Sequence, residues 1–194
     1  MSQAAQIPRM TPEEFNAWEQ TQEDRYELVD GVPQLKFIEW DGPKMIVGAT
    51  KGHGWVVKNL ILSLAGQLRG KPCQPVPADG KVRTPRGNYR YPDVTVDCGP
   101  HDLSKTVLPN PVAVIEVLSK STFWLDHNKK LSDYQSVPTI QYILLLAQNE
   151  MRAQFWTRGP EGWGYVEMRD SDAVIDFPAI GAQFRLAVAY EGIF

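Results

Sequence analysis

Glu116 stands inside the apolar run Val112-Ala113-Val114-Ile115-Glu116-Val117-Leu118. An ionised carboxylate there loses its hydration, and a buried unpaired charge is expensive. It needs a cation, a hydrogen-bond donor or a strand end open to water. A structural ion pair with a core arginine would meet the same need. Upstream, Asp93 follows Pro92 and opens Val94-Thr95-Val96-Asp97. Strand alternation puts Asp93, Thr95 and Asp97 on one face and Val94 and Val96 on the other. A turn aspartate ahead of a strand is the plainer role. Asp126, Lys130 and Tyr134 recur every four residues, which makes a stripe on a helix. Taken alone, that stripe is a surface ion pair worth about 0.3–0.5 kcal/mol beside a half-buried tyrosine. Glu27 is unremarkable by itself. His53, His101 and His127 are scattered, and each suits a cap or a surface better than a metal.

The elements that must position these groups follow from local patterns. Thr11, Pro12 and Glu14 have the cap, first-turn proline and capping-box spacing of a helix over Thr11 to Gln20. Asp30-Gly31 between two short apolar runs predicts a hairpin. Val56, Val57, Leu60, Ile61, Leu64 and Leu68 fall at helical spacing over His53 to Leu68, stopped by Gly70 and Pro72. Strands are expected over Val76 to Arg83 and Tyr91 to Asp97. The almost continuously apolar Val112 to Leu118 reads as a strand buried on both faces. A helix over Thr122 to Val137 is ended by Pro138, and Ile140 to Ala147 is a second buried strand. Arg152 to Arg158 turns at Gly159-Pro160-Glu161-Gly162 and returns through Trp163 to Arg169 as a hairpin. The apolar tail, Phe184 to Phe194, should dock on the body. This order predicts a mixed central sheet flanked by helices, α/β or α+β.

The length, 194 residues, fits one domain over 1–194, and 43% hydrophobic residues can fill a core. A net charge of −3 counts mildly against a tight non-specific DNA binder, whose affinity rests on many phosphate-facing cations, but leaves room for a local basic cleft. Cys73 and Cys98 are far apart in sequence and lack zinc spacing, so they read as two lone cysteines of a reducing, cytoplasmic protein. The N-terminus shows no secretion signal, and no apolar run is long enough to span a membrane.

A Pro-Asp opening one strand and a Glu in the next strand make the order of the PD-(D/E)XK core. On adjacent strands the two carboxylates can converge on one Mg²⁺, which prefers oxygen ligands and keeps several waters. Such an ion polarises a phosphate and acidifies a bound water. The chain resembles a large bacterial family named putative restriction endonucleases within the PD-(D/E)XK nuclease superfamily. The resemblance covers nearly the whole chain. It rests on Tyr26-Glu27-Leu28-Val29-Asp30-Gly31, His53, Tyr91-Pro92-Asp93-Val94, Ile115 through Thr122, Asp126 through Lys130 to Tyr134, and Val137-Pro138 to Leu146. The resemblance implies a restriction-endonuclease-like core, with Asp93 and Glu116 as ligands for Mg²⁺ or Mn²⁺ and Glu27 joining the same site. The lysine usual two residues after the Glu is absent, since Leu118 stands there. The resemblance moves that role to Lys130, with Lys129 and Lys120 as the weaker substitutes.

The leading expectation is therefore a metal-dependent endonuclease hydrolysing DNA phosphodiester bonds and acting as a homodimer, with no membrane partner. The alternative is a nuclease-fold protein of weak or lost turnover that binds nucleic acid or regulates. A third reading is a self-associating structural protein, with the aromatic hairpin around Trp156 and Trp163 as an interface.

Overall fold

The computed structural model describes residues 8–36, 51–100, 102, 104–118 and 127–194. Of the sequence features above, His101, Lys120, Asp126 and the Ser119 to Thr122 segment lie outside these residues. The chain opens with helix α1 (Pro12–Glu19). Thr11 Oγ1 accepts the Glu14 N–H and Glu14 Oε2 accepts the Thr11 N–H, so the expected capping box is present. Strands β1 (Tyr26–Val29) and β2 (Val32–Leu35) follow as a hairpin. Its two turn residues, Asp30 and Gly31, take φ of 51° and 78°, the left-handed pair that such a tight turn demands.

Helix α2 (Lys51–Leu68) leads into β3 (Gln74–Pro77), β4 (Val82–Arg83), β5 (Tyr89–Arg90) and β6 (Val94–Asp97). The single strand expected over Val76 to Arg83 is thus two strands in different sheets. Pro77 accepts the N–H groups of Asp79 and Gly80, and the chain turns there. Next come β7 (Pro111–Leu118), helix α3 (His127–Ser136), β8 (Tyr142–Ala147) and the hairpin of β9 (Ala153–Gly159) and β10 (Gly162–Met168). A second hairpin, β11 (Val174–Phe177) and β12 (Ala182–Arg185), precedes the short helix α4 (Leu186–Ala189).

The main sheet has the order β10-β9-β8-β7-β6-β3. It is mixed, because β7 runs parallel to β8 and antiparallel to β6. A smaller sheet, β2-β1-β5-β4, carries the N-terminal hairpin. Alternation along β7 sorts its side chains. Ala113, Ile115 and Val117 enter a core with Val56, Leu60, Leu64 and Leu68 of α2 and with Phe184 and Leu186 of the docked tail. Val114 and Leu118 enter a second core on the opposite face, with Leu131, Tyr134 and Val137 of α3. Glu116 shares that second face by period two, so it must meet α3. Phe15, Leu28 and Tyr89 form a third cluster that holds α1 on the small sheet.

Cys73 and Cys98 are not lone cysteines. They form a disulfide with an S–S distance of 2.03 Å. The β3–β6 register explains the pairing: Gln74 lies opposite Asp97, and the two cysteines sit one step beyond that pair on each strand. Among the described residues, no helix is long and apolar enough to cross a membrane.

Candidate active site

Glu116 reaches the α3 face of the sheet fully buried, and its neighbours come from one stripe of that helix. Tyr134 donates its hydroxyl to Glu116 Oε1 at 2.5 Å, and Lys130 Nζ lies 3.5 Å from the same oxygen. The i, i+4 spacing of Lys130 and Tyr134 puts both on one helix face, one turn apart. Tyr134, expected half-buried, is completely enclosed. Burial raises the Glu116 carboxyl above the ordinary carboxylate range; Lys130 opposes this and the nearby Asp93 charge adds to it.

Asp93 immediately precedes β6. The β6–β7 register pairs Val94 with Ile115, so continuing it by one residue sets Asp93 against Glu116 on the same face. Asp93 Oδ2 accepts the Val117 N–H at 2.8 Å and lies 3.1 Å from His53 Nε2 on α2. Lys36 Nζ is 3.5 Å from Oδ1 and also donates to the Tyr91 carbonyl. Burial works against the Asp93 charge, but the His53 hydrogen bond and the Lys36 ammonium outweigh it and hold the carboxyl well below its usual range. The two carboxylates are therefore pushed in opposite directions, the condition under which neighbouring acids take different roles.

Glu27 arrives from β1 on the side away from Leu28. Its Oε2 accepts from Arg90 Nη1 at 2.8 Å, its Oε1 accepts the Tyr91 N–H at 3.1 Å, and Lys130 Nζ lies 3.6 Å from Oε1. Burial opposes its charge, yet Lys130, Arg90, Lys36 and the Tyr91 N–H hold its carboxyl below the ordinary range. Arg90 also grips Asp133 of α3 at 2.7 Å, and Asn88 donates to both Asp133 oxygens at 3.1 and 3.2 Å. The four residues named from sequence, Glu27, Asp93, Glu116 and Lys130, thus converge, with Lys130 between the two glutamates. Lys129 does not join them. It pairs with Asp30 at the surface at 2.7 Å.

Sequence reasoning missed Lys36, Arg90 and Asp133, and gave His53 by itself only a capping or surface role. Lys36 and Arg90 are ordinary cations at strand ends, and nothing in their spacing marks them. Asp97, expected to share a face with Asp93, serves the loop instead: its oxygens accept the Asn110 and Gly99 N–H groups at 2.8 and 3.2 Å.

The donor set suits a hard cation. Asp93 and Glu116 offer carboxylate oxygens, and Glu116 Oε2 accepts no hydrogen bond from a described residue. The described residues contain no ready-made group of three or more His, Cys, Asp or Glu ligands. An ion held by two carboxylates would therefore complete its shell with water, as Mg²⁺ commonly does.

Comparison with known proteins gives the family and the fold. An uncharacterised protein of Synechocystis sp. is 29% identical over 195 residues, covering 99% of this chain and 97% of that protein. A second uncharacterised Synechocystis protein is 28% identical over 137 residues, covering 68% of this chain and 77% of that one. The crystal structure of a putative nuclease from Anabaena variabilis superposes with a TM-score of 0.71, over 93% of this chain and 97% of that chain. Its 14% sequence identity makes this a likeness of fold. A family model, Uma2, described as "Putative restriction endonuclease", matches residues 12–189, from the first residue of α1 to the last of α4. The chain belongs to the Uma2 family of putative restriction endonucleases.

Proposed function

We propose that this protein is a metal-dependent endonuclease that hydrolyses DNA phosphodiester bonds, with Asp93 and Glu116 holding Mg²⁺ or Mn²⁺. The carrying observation is the pair of buried carboxylates set against each other across β6 and β7, with Lys130 3.5 Å from Glu116. When bound, the ion supplies Lewis-acid polarisation of the phosphate and acidifies a water for attack. Lys130 brings a fixed positive charge to the oxygens on which negative charge grows during displacement. Glu27 and Glu116 hold that ammonium in place, while Tyr134 fixes the Glu116 carboxyl. Lys36 and His53 keep Asp93 ionised at neutral pH.

A second reading, a nuclease-fold protein that binds nucleic acid without turnover, has two observations in its favour. The usual lysine position is the buried Leu118, and Lys36 lies 3.5 Å from Asp93 Oδ1, close to where the proposed cation would bind.

The test is cleavage of plasmid DNA by the full chain with Mg²⁺, with Mn²⁺ and with chelator, alongside titration of Mn²⁺ binding. The enzyme reading expects cleavage that needs the metal and vanishes, together with metal binding, in Asp93→Ala and Glu116→Ala. No divalent-dependent cleavage, with DNA binding that survives Glu116→Ala, would establish the second reading instead.

A further inference from the structure

The outer edge of the main sheet is unusually bare. Strand β10 spans seven residues and is exposed at most of them. Edge strands are normally blunted by proline, lysine, bulges or short length. The run Gly162-Trp163-Gly164-Tyr165-Val166-Glu167-Met168 contains no proline and no lysine, and it pairs with β9 without a register shift. Tyr165 on one face and Val166 on the other are 56% and 58% exposed, so apolar surface flanks the same point of the edge on both sides.

The direction of the free backbone groups can be fixed. Arg158 donates its N–H to the Gln141 carbonyl, on the β8 side of β9. Alternation then turns the hydrogen-bonding groups of Ala153, Phe155, Thr157 and Gly159 towards β10. Their partners there are Met168, Val166, Gly164 and Gly162. The backbone groups of Trp163, Tyr165 and Glu167 therefore point out of the sheet, and no described strand lies beyond them.

We infer that a second copy of this chain adds to this edge, β10 against β10 and antiparallel, with Tyr165 on the two-fold axis. In this register each of Trp163, Tyr165 and Glu167 gives its N–H to the other copy and accepts one at its carbonyl. Trp163 falls opposite Glu167 of the second copy. Extending the register one step past each end of β10 brings Glu161, in the turn, to Arg169 of the second copy, twice over by symmetry. That charge match selects a second copy over a peptide of arbitrary sequence. Glu161 is exposed and has no ion pair among the described residues, whereas Arg169 already lies near Glu150 and Glu167. Tyr165 stacks on Trp156 of its own chain at 4.4 Å, which holds the ring ready at the axis. The two main sheets become one continuous sheet, and a pair of open edges is removed.

Sedimentation equilibrium of the full chain tests this, and is expected to give twice the 21.9 kDa chain mass. Tyr165→Pro removes an outward N–H and breaks no hydrogen bond to β9, so it should yield a folded monomer, with the fold checked by circular dichroism and Tyr165→Ala as the control for the lost stack on Trp156. Arg169→Glu should weaken association about tenfold, and adding Glu161→Arg should restore it. Tyr165→Cys should cross-link to itself on mild oxidation, since Cα atoms of such a pair lie about 5.5 Å apart. A monomeric wild-type chain, or a dimer that neither Tyr165→Pro nor the charge swap perturbs and that Tyr165→Cys does not cross-link, would overturn the inference.

Discussion

Arg90→Met is expected to destabilise the fold by about 3–5 kcal/mol near neutral pH, the cost typical of removing one partner from a buried ionic group. Arg90 is 3% exposed and grips Glu27 and Asp133 at once. Methionine fills a similar volume but leaves two carboxylates buried with fewer donors. The loss should also depend on pH. In the wild type the Glu27 carboxyl is depressed, so its contribution is present above the unfolded carboxylate pKa and is lost as pH falls through the folded value. Without Arg90 that carboxyl rises, and protonation then relieves a buried charge. The gap between variant and wild type should therefore narrow from about pH 7 to about pH 4. Urea denaturation at both values measures it. A gap below about 1 kcal/mol at neutral pH, or one that widens in acid, would contradict this account.

Lys130→Met is expected to slow metal-dependent DNA cleavage by about 10²–10³, the range seen when one preorganised charge-stabilising donor is removed from an active site. Lys130 stands between Glu116 and Glu27, at 3.5 and 3.6 Å. Burial works against its charge, but Glu116 and Glu27 more than compensate and raise its pKa, so it is an ammonium throughout the working range. In the proposed reaction it would therefore serve as a fixed charge and not as a base. Lys129→Met is the control, because Lys129 is half exposed on Asp30, and it should leave the rate within about twofold. Single-turnover cleavage of a short duplex, with Mn²⁺ binding measured in parallel, separates lost chemistry from a lost metal site. Full activity in Lys130→Met would shift the role to Lys36.

Much of the site was legible because one residue violated its surroundings. Glu116 announces itself as a charge in an apolar strand, and period two assigns it to a face. Helical spacing put Lys130 and Tyr134 on one stripe, but the stripe alone read as a surface ion pair, and only the family resemblance assigned Lys130 to the site. Glu27 was reachable only through family resemblance, since a glutamate beside a hairpin has many ordinary explanations. Arg90, Asp133 and Lys36 gave no local signal, because their meaning lies in a meeting of β1, β5 and α3 that no period encodes. The disulfide was hidden for a related reason: cysteines 25 residues apart become neighbours only when β3 pairs with β6. The split of Val76 to Arg83 falls at Asp79-Gly80, a turn pair that the single-strand reading passed over. The β11–β12 hairpin escaped because its connection, Pro178-Ala179-Ile180-Gly181, lacks the two-residue turn signal that marked the equally short β1–β2 hairpin.

The βαβ arrangement of β7, α3 and β8 has a consequence for how the site assembles. Lys130 and Tyr134 lie 14 and 18 residues from Glu116, whereas Arg90 lies 63 from Glu27. Closing the longer loop costs roughly 1 kcal/mol more chain entropy. The Glu116 half can therefore form as a local unit, and the arm carrying Glu27 joins last and leaves first. Native-state hydrogen exchange should show β1 amides opening before those of β7 and β8, and uniform protection would argue against it. On that order of events, the chain early in folding would hold its Glu116–Lys130 pair before the clasp that fixes the lysine, and the N-terminal hairpin would be the latch that makes the site permanent.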